Sequence, residues 1–234
     1  MSVEQEVLSF TDNWSYLKAE LAWLDRVLMR AVARHRDTER EIAKVAKTNT
    51  DRATSHWWRG FILLDTAKGG SQIRWEGSEH NTTHPLGRYG DRLEQSRNLG
   101  VNLAIPNLCA HLGLSKFERD LLILCLAPEI SRRYEKLYAL LNNDEANCRQ
   151  PTVDLALRLF CRSDSEWRLA RQSFSPDAPL IKHKLLLLLP SPTSARSVIA
   201  QVLCLPEKVT NFCLNDQVPL SSLFPRRRGK AKQV

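Results

Sequence analysis

The sequence predicts a mainly α-helical protein with one small β-hairpin, and three observations support this. Helix start signals recur at short intervals between residues 112 and 161. Two apolar runs bounded by prolines follow, at 180–189 and 197–205. Residues 11–47 carry the longest helical periodicity in the chain. Three helices followed by a two-stranded hairpin make a helix-turn-helix core with a wing, so we expect a winged helix preceded by a long N-terminal helix.

The first helix of this core is predicted from a capping box. Ser115 and Glu118 stand in an S-x-x-E pattern, in which each side chain binds the other residue's backbone N–H. The residues that follow Phe117 are apolar on nearly every side, as in a helix buried in a small core. We expect Pro128 to end this helix, because proline disfavours helical geometry at the residue before it.

Three further helices are predicted with short connections. Ser131 is the expected cap of the second helix, and residues 142–144 end it. Its apolar positions follow the i, i+3, i+4, i+7 spacing of one helix face: Tyr134, Leu137, Tyr138 and Leu141. Pro151 and Thr152 open the third helix. A second capping box at 163–166 starts a fourth, shorter helix.

The two apolar runs downstream predict the wing. Residues 190–193 between them are rich in proline and serine, as in a turn. Leucine is a middling strand former, so a helix in the run 180–189 remains an alternative to a strand. Pro206 is expected to be the first residue of a closing helix, since its missing N–H costs nothing there.

Four segments of this region resemble, in the same order, the N-terminal winged-helix region of a group of bacterial AAA-family ATPases. The segments are 114–120, 126–130, 133–138 and 149–157, and the resemblance extends over residues 99–215. In those proteins the region precedes the ATPase module, and several belong to gene clusters that look like contractile injection systems. The resemblance therefore implies an adaptor or recruitment domain whose protein partner is an AAA-family ATPase or its client assembly.

The motifs of the ATPase half do not occur in this sequence. A phosphate-binding loop needs G-x-x-x-x-G-K-[ST], and the one Gly-Lys pair, Gly229-Lys230, is followed by Ala231 and lacks the upstream glycine. Neither G-x-S-x-G nor H-E-x-x-H occurs. We therefore predict that the chain is not an enzyme, and that it has no catalytic residue and no cofactor.

Composition limits the remaining classes of protein. No window approaches the roughly 18 consecutive apolar residues of a membrane span, and the first residues are acidic, so we expect a cytoplasmic protein without a membrane partner. The six cysteines form no C-x-x-C pair, which favours reduced core thiols over disulfides or a metal site. Glu76, His80 and His84 have the spacing of metal ligands on a helix, but the Asn, Thr and Pro around them favour a solvated loop.

Residues 1–50 are predicted to form a long amphipathic helical arm. Its apolar residues recur at the a and d positions of a heptad. One interpretation is a coiled coil that binds a partner or a second copy of the chain. The other is a helix packed on its own domain, with Trp23 and Val27 widening the apolar stripe. Under the first interpretation the docking residues are Trp14, Leu17, Leu21, Leu24 and Leu28.

Changes of composition divide the rest of the chain. Residues 51–98 form a loop-rich connector, in which the apolar segments 57–58 and 61–64 are expected to dock on the winged helix. Residues 99–216 are the predicted winged-helix domain, and 217–234 a basic disordered tail.

Basic residues raise the alternative of a nucleic-acid-binding protein. The net charge is +8, and it falls to +3 without five cations in the tail. The candidate phosphate-binding residues are Arg132, Arg133 and Lys136 of the second helix and Arg226, Arg227, Arg228, Lys230 and Lys232 of the tail. The third helix, which would read bases in a winged helix, offers mainly Asp154 and Arg158. We therefore favour protein docking over sequence-specific DNA binding.

Overall fold

The computed structural model describes residues 9–45, 86–143, 148–190 and 197–224. The aromatic segments at 57–64, the histidines at 80 and 84 and the basic residues of the tail lie outside this part, so the predictions made for them are not addressed by the structure.

The described residues form short helices and one two-stranded sheet. In chain order the elements are α1 (Asn13–Val45), α2 (Leu86–Asn98), α3 (Ala104–Leu112), α4 (Lys116–Ile130), α5 (Arg133–Leu141), α6 (Val153–Phe160), α7 (Asp164–Gln172), α8 (Pro179–Lys182), β1 (Leu187–Leu189), a 3-10 turn (Val198–Ala200), β2 (Val202–Cys204), α9 (Glu207–Leu214) and a second 3-10 turn (Leu220–Leu223). The predicted architecture, mainly helical with a long N-terminal helix and a small β-hairpin after the helical core, is confirmed.

The hairpin is the predicted wing. β1 and β2 pair antiparallel, with Leu188 opposite Leu203. Thr152, just before α6, forms an isolated bridge with Val202, and the N–H of Leu203 donates to the carbonyl of Pro151 at 2.8 Å. β2 therefore lies between β1 and the residues that open α6, which joins the wing to the helical core and leaves β1 at the edge.

Helix α4 is the centre of the core and begins as predicted. The Oγ of Ser115 accepts from the N–H of Glu118 at 3.2 Å, and the Glu118 carboxylate accepts from the N–H of Ser115 at 2.9 Å. Every residue from 118 to 127 is buried. This helix is therefore surrounded by other elements on all sides, as its apolar composition indicated.

The prediction that Pro128 ends α4 is wrong, since the helix continues to Ile130. Proline has no N–H for the carbonyl four residues earlier, which belongs to Leu124. The hydroxyl of Tyr138 donates to that carbonyl at 2.8 Å instead. A tertiary hydrogen bond thus satisfies the group that the proline leaves without its helical donor.

The predicted cap of α5 is also wrong, and for a related reason. Because α4 runs past Pro128, Ser131 becomes its C-terminal cap, with its N–H donating to the carbonyl of Ala127 at 3.0 Å. Helix α5 then begins at Arg133, and Arg132 before it makes no side-chain capping bond.

Only the last third of the run 180–189 is a strand. Pro179 opens the helical turn α8, and the N–H groups of Leu185 and Leu186 both donate to the carbonyl of Leu180, at 2.8 and 3.2 Å. The first part of the run thus satisfies its backbone groups locally, so the helical alternative holds there. The predicted closing helix is present as α9, with Pro206 as its N-cap and not as its first residue.

Helix α1 packs on its own domain along its first turns. Its cap is Asp12, whose carboxylate accepts from the N–H of Ser15 at 2.6 Å. Trp23 is buried and stacks on Phe160 of α6, with ring centroids 5.8 Å apart. The buried Asn13 joins this helix to two others, since it donates to the carbonyl of Cys213 at 2.8 Å and accepts from the N–H of Ala104 at 2.9 Å. The intramolecular interpretation of α1 therefore holds for this part of the helix.

Candidate docking surface

Helix α6 occupies the place of a base-reading helix, and its own fold uses most of its polar groups. The Oγ1 of Thr152 caps it by accepting from the N–H of Leu155 at 3.1 Å. Val153, Leu155, Ala156 and Leu157 are buried in the core. A helix inserted into a DNA groove would need polar side chains on its outer face, and few residues of α6 remain to supply them.

The two charged residues of α6 bind each other. Asp154 Oδ2 lies 2.7 Å from the Nε of Arg158, and another guanidinium N–H of Arg158 donates to the carbonyl of Leu141 at 2.9 Å. Arg158 thus ties α6 to the end of α5. To contact a base edge it would have to give up both of these partners.

The three predicted phosphate-binding residues of α5 lie on the outer surface beside α1. Arg133 forms an ion pair with Asp25 of α1 and lies over the ring of Tyr134, 5.1 Å from its centroid. Its hydrogen bond to Asp25 raises the pKa of Arg133 further above its ordinary value. Arg132, 3.8 Å from Glu135, has a side chain that is 86% exposed, and Lys136 is also exposed. All three cations are therefore exposed to solvent, and Arg133 also binds α1.

These residues border a groove between α1 and α5. Its lining residues are Met29, Arg133, Lys136, Leu137 and Leu140, around a volume of about 410 Å³. Met29 is 57% exposed although it is a large apolar side chain. The groove thus combines apolar walls with two cations.

The hydroxyl of Tyr134 strengthens the same contact between α1 and α5. It donates to the carboxylate of Asp25 at 2.8 Å. Burial is the main cause that raises the pKa of Tyr134 to about 12, and the hydrogen bond to Asp25 is the second. Asp25 therefore holds two side chains of α5 in place.

Of the five predicted docking residues on α1, three lie inside the fold. Leu17, Leu24 and Leu28 are fully buried, and Leu21 is half-buried. Trp14 is 42% exposed. Contact with a partner can therefore reach Trp14 directly, whereas the buried leucines serve the core of this chain.

Exposed apolar side chains that sequence reasoning missed lie on the wing and on α7. Leu187 and Leu189 of β1 are 36% and 40% exposed, and they point to one face of the strand because side chains alternate. On α7, Trp167 is 37% and Leu169 is 67% exposed. A signal for the wing was present, since a run of five leucines at 185–189 exceeds what one buried strand face accommodates.

No two cysteines of the described part form a disulfide bond. Burial raises the pKa of Cys109 and Cys213 to about 12, so neither is a thiolate near neutral pH. Among the described residues, no cluster of three His, Cys, Asp or Glu side chains has the arrangement of a metal site. No helix in this part is long and apolar enough to cross a membrane.

Comparisons with known proteins give one family. A protein-family model described as a winged helix domain, variant, matches residues 2–226. No curated protein and no solved structure matches the chain. The match extends over nearly the whole sequence, in agreement with the helical core, the wing and the packing of α1 on the core. The chain is therefore a member of the variant winged helix domain family, whose fold serves as a DNA- or protein-binding module.

Proposed function

We propose that the chain is a non-catalytic adaptor or recruitment domain that docks protein partners through its winged helix. The main support for this proposal is that the side chains of α6 are already used within the fold. Its outer charged residues, Asp154 and Arg158, bind each other at 2.7 Å, and the apolar residues of its first two turns are buried. Sequence readout by a recognition helix depends on Arg, Lys, Asn or Gln side chains directed at base edges, and α6 has no such side chain without a partner in the described structure.

The exposed apolar residues of the wing support a protein partner. Leu187 and Leu189 lie on the edge strand, where a partner chain can contact both leucines. Trp167 and Arg168 on α7 are exposed and belong to the residue types that dominate the energy of protein interfaces. A surface for binding DNA would instead be dominated by cations.

The resemblance of residues 114–157 to AAA-family ATPases bears on the identity of the partner. In those proteins this region lies beside the motor, so an AAA-family ATPase or its client assembly is the partner that we propose. The helical arm (1–50), the connector (51–98), the winged-helix domain (99–216) and the tail (217–234) keep their predicted boundaries in this proposal, with self-association through α1 as a further expectation.

A direct test replaces the two exposed leucines of the wing. The double variant Leu187→Glu/Leu189→Glu should lose binding to a purified AAA-family ATPase that the native chain binds, measured by isothermal titration calorimetry. The matched control Asn211→Glu/Gln217→Glu adds the same charges at exposed polar sites outside the wing and should bind as the native chain does. Equal binding by the native chain and the leucine variant would refute docking through the wing.

The alternative function is nucleic-acid binding, and the basic tail favours it. Five of its residues are cationic and none is acidic. Such a tail binds phosphate backbones without sequence preference and in a salt-dependent way. Fluorescence anisotropy with random duplex DNA should therefore show weak binding that disappears when residues 226–234 are removed. Tight, sequence-selective binding that survives this truncation would establish a DNA reader and refute the adaptor proposal.

A further inference from the structure

A cavity of about 250 Å³ lies where α1, α2, α3 and α4 meet. Ser115 and Lys116, at the N-terminal end of α4, line it. The C-terminal end of α4 lies near the wing, because Glu129 of α4 is close enough to Cys204 of β2 for its charge to act on that thiol. Burial is the larger cause of the raised pKa of Cys204, and the charge of Glu129 is the second. At 1.5 Å per residue, the two ends of the helix are about 20 Å apart. The cavity is therefore separate from the docking surface on the wing.

The walls of the cavity are mostly apolar and come from three segments. The apolar lining side chains are Leu93, Val101, Leu103, Pro106 and Leu114. At roughly 30 Å³ per water molecule, the volume equals about eight waters. It is smaller than the pockets of about 300–1,000 Å³ that hold drug-sized ligands. A molecule with a single ring is the size that this space accommodates.

Two cationic side chains line the cavity and bind no other side chain among the described residues. Neither Arg97 of α2 nor Lys116 of α4 forms an ion pair or a side-chain hydrogen bond within the part of the chain that the structure describes, and both are exposed. The carboxylates nearby are already engaged. Glu118 accepts from Ser115 at 2.8 and 2.9 Å, and Asp120 accepts from Arg119 at 2.9 Å. The charge of the two lining cations is thus not neutralised by these acids.

The buried side chain of Tyr16 completes the wall of the cavity. Its hydroxyl oxygen has almost no accessible surface, so the tyrosine lines the cavity through its other atoms. Burial, and after it the negative charge of Glu20, raises the pKa of Tyr16 well above its ordinary value, so the hydroxyl stays protonated and adds no charge to the site.

We propose that this cavity binds a small carboxylate with an apolar body. Arg97 and Lys116 contact the carboxylate, and the apolar walls contact the ring. An inorganic anion would satisfy the cations but leave the apolar walls in contact with water, whereas a neutral ring would leave the cations without a counter-charge. The combination selects a molecule that has both parts.

The test uses benzoate as the probe and the full chain. Equilibrium dialysis should show saturable binding with a Kd on the order of 1 mM. Benzyl alcohol and inorganic phosphate should each bind at least about tenfold more weakly, because each lacks one of the two parts. Absence of benzoate binding at about 10 mM, or phosphate binding as tight as that of benzoate, would overturn the proposal.

Variants locate the binding site. Arg97→Gln/Lys116→Gln should weaken benzoate binding about tenfold, because both residues are exposed and their removal leaves the fold intact. The matched control Arg149→Gln/Lys182→Gln removes two exposed cations elsewhere and should bind as the native chain does. Equal affinities for the native chain and the Arg97/Lys116 variant would overturn the assignment.

Discussion

Helices α4 and α7 begin with the same signal and end in opposite environments. In each, a serine Oγ accepts from the N–H of a glutamate three residues later, at 3.2 Å in both. Every residue of α4 from 118 to 127 is buried, whereas residues 162–169, which include most of α7, are exposed. Only α4 has the complete capping box, because the Glu166 carboxylate of α7 accepts from the N–H of Arg162 and not from that of Ser163. The S-x-x-E pattern therefore indicates where a helix starts but says nothing about what will surround it. The apolar residues that follow, and the elements they meet, decide burial.

The largest expected difference between the two helices is the effect of shortening a leucine. Leu124→Ala in α4 should lower the free energy of unfolding by about 3 kcal/mol, because the side chain is completely buried and leaves a cavity. Leu169→Ala in α7, where the side chain is 67% exposed, should change it by less than about 0.5 kcal/mol. Urea denaturation followed by circular dichroism measures both. Similar losses for the two variants would mean that α7 is covered in solution.

Removing a carboxylate charge should also lower the free energy of unfolding more in α4 than in α7, with a slightly smaller difference than for the leucines. Asp120→Asn leaves the buried Arg119 with less compensation, so unfolding should become easier by about 2–3 kcal/mol. Glu20, whose charge also acts on Arg119, keeps the loss at the lower end of the range for a broken buried pair. The control Asp164→Asn at the exposed start of α7 should cost less than about 1 kcal/mol. Equal stability of Asp120→Asn and the native chain would show that Glu20 alone satisfies Arg119.

The rates at which cysteine thiols are alkylated should also differ between the two regions. Burial raises the pKa of Cys161, just before α7, to about 11 from 9.0, so at pH 8 its thiolate fraction should be about 100-fold lower than that of a free thiol. Raising the pH towards 11 should restore alkylation by iodoacetamide at this half-buried residue. Cys125 inside α4 is buried and its pKa is raised further, so it should react only when the chain unfolds. Mass spectrometry of the alkylated sites distinguishes the two.

The two serine caps should differ least. Ser115→Ala should cost about 1 kcal/mol, since α4 cannot fray without exposing the core. Ser163→Ala should cost about 0.5 kcal/mol or less, because α7 loses little burial when its first turn opens. Chemical denaturation of both single variants measures the difference, and a larger loss for Ser163→Ala would reverse the comparison.

Local sequence signals predicted most helices of this chain and failed where tertiary contacts intervened. The capping residues Ser115, Thr152 and Ser163 were identified because each acts on backbone groups within a few residues. Pro128 was taken as a helix end because the donor that replaces its N–H belongs to Tyr138, on another helix. The spacing of residues within α4 could not predict this hydrogen bond, because its donor lies on α5.

The candidate surfaces were predicted less well than the helices. Arg132 and Lys136 are exposed as a phosphate-binding role requires, yet the ion pair of Arg133 with Asp25 connects residues far apart in the chain. The docking stripe on α1 was visible as a pattern, but the pattern is the same whether the helix contacts its own domain or a partner. Residues of four helices line the cavity beside Tyr16, so no local sequence motif predicts it.

The sequence by itself determined the order of helices α4 to α7, the position of the wing and the absence of the G-x-x-x-x-G-K-[ST], G-x-S-x-G and H-E-x-x-H motifs, because capping, periodicity and motif spacing are properties of neighbouring residues. Only the tertiary structure decided that α1 packs inward and that Asp154 and Arg158 bind each other. It also decided that Arg97 and Lys116 lie beside an open space and bind no side chain among the described residues. The physical reason is that burial and pairing depend on which groups compete for each contact, and those groups come together only in the folded chain.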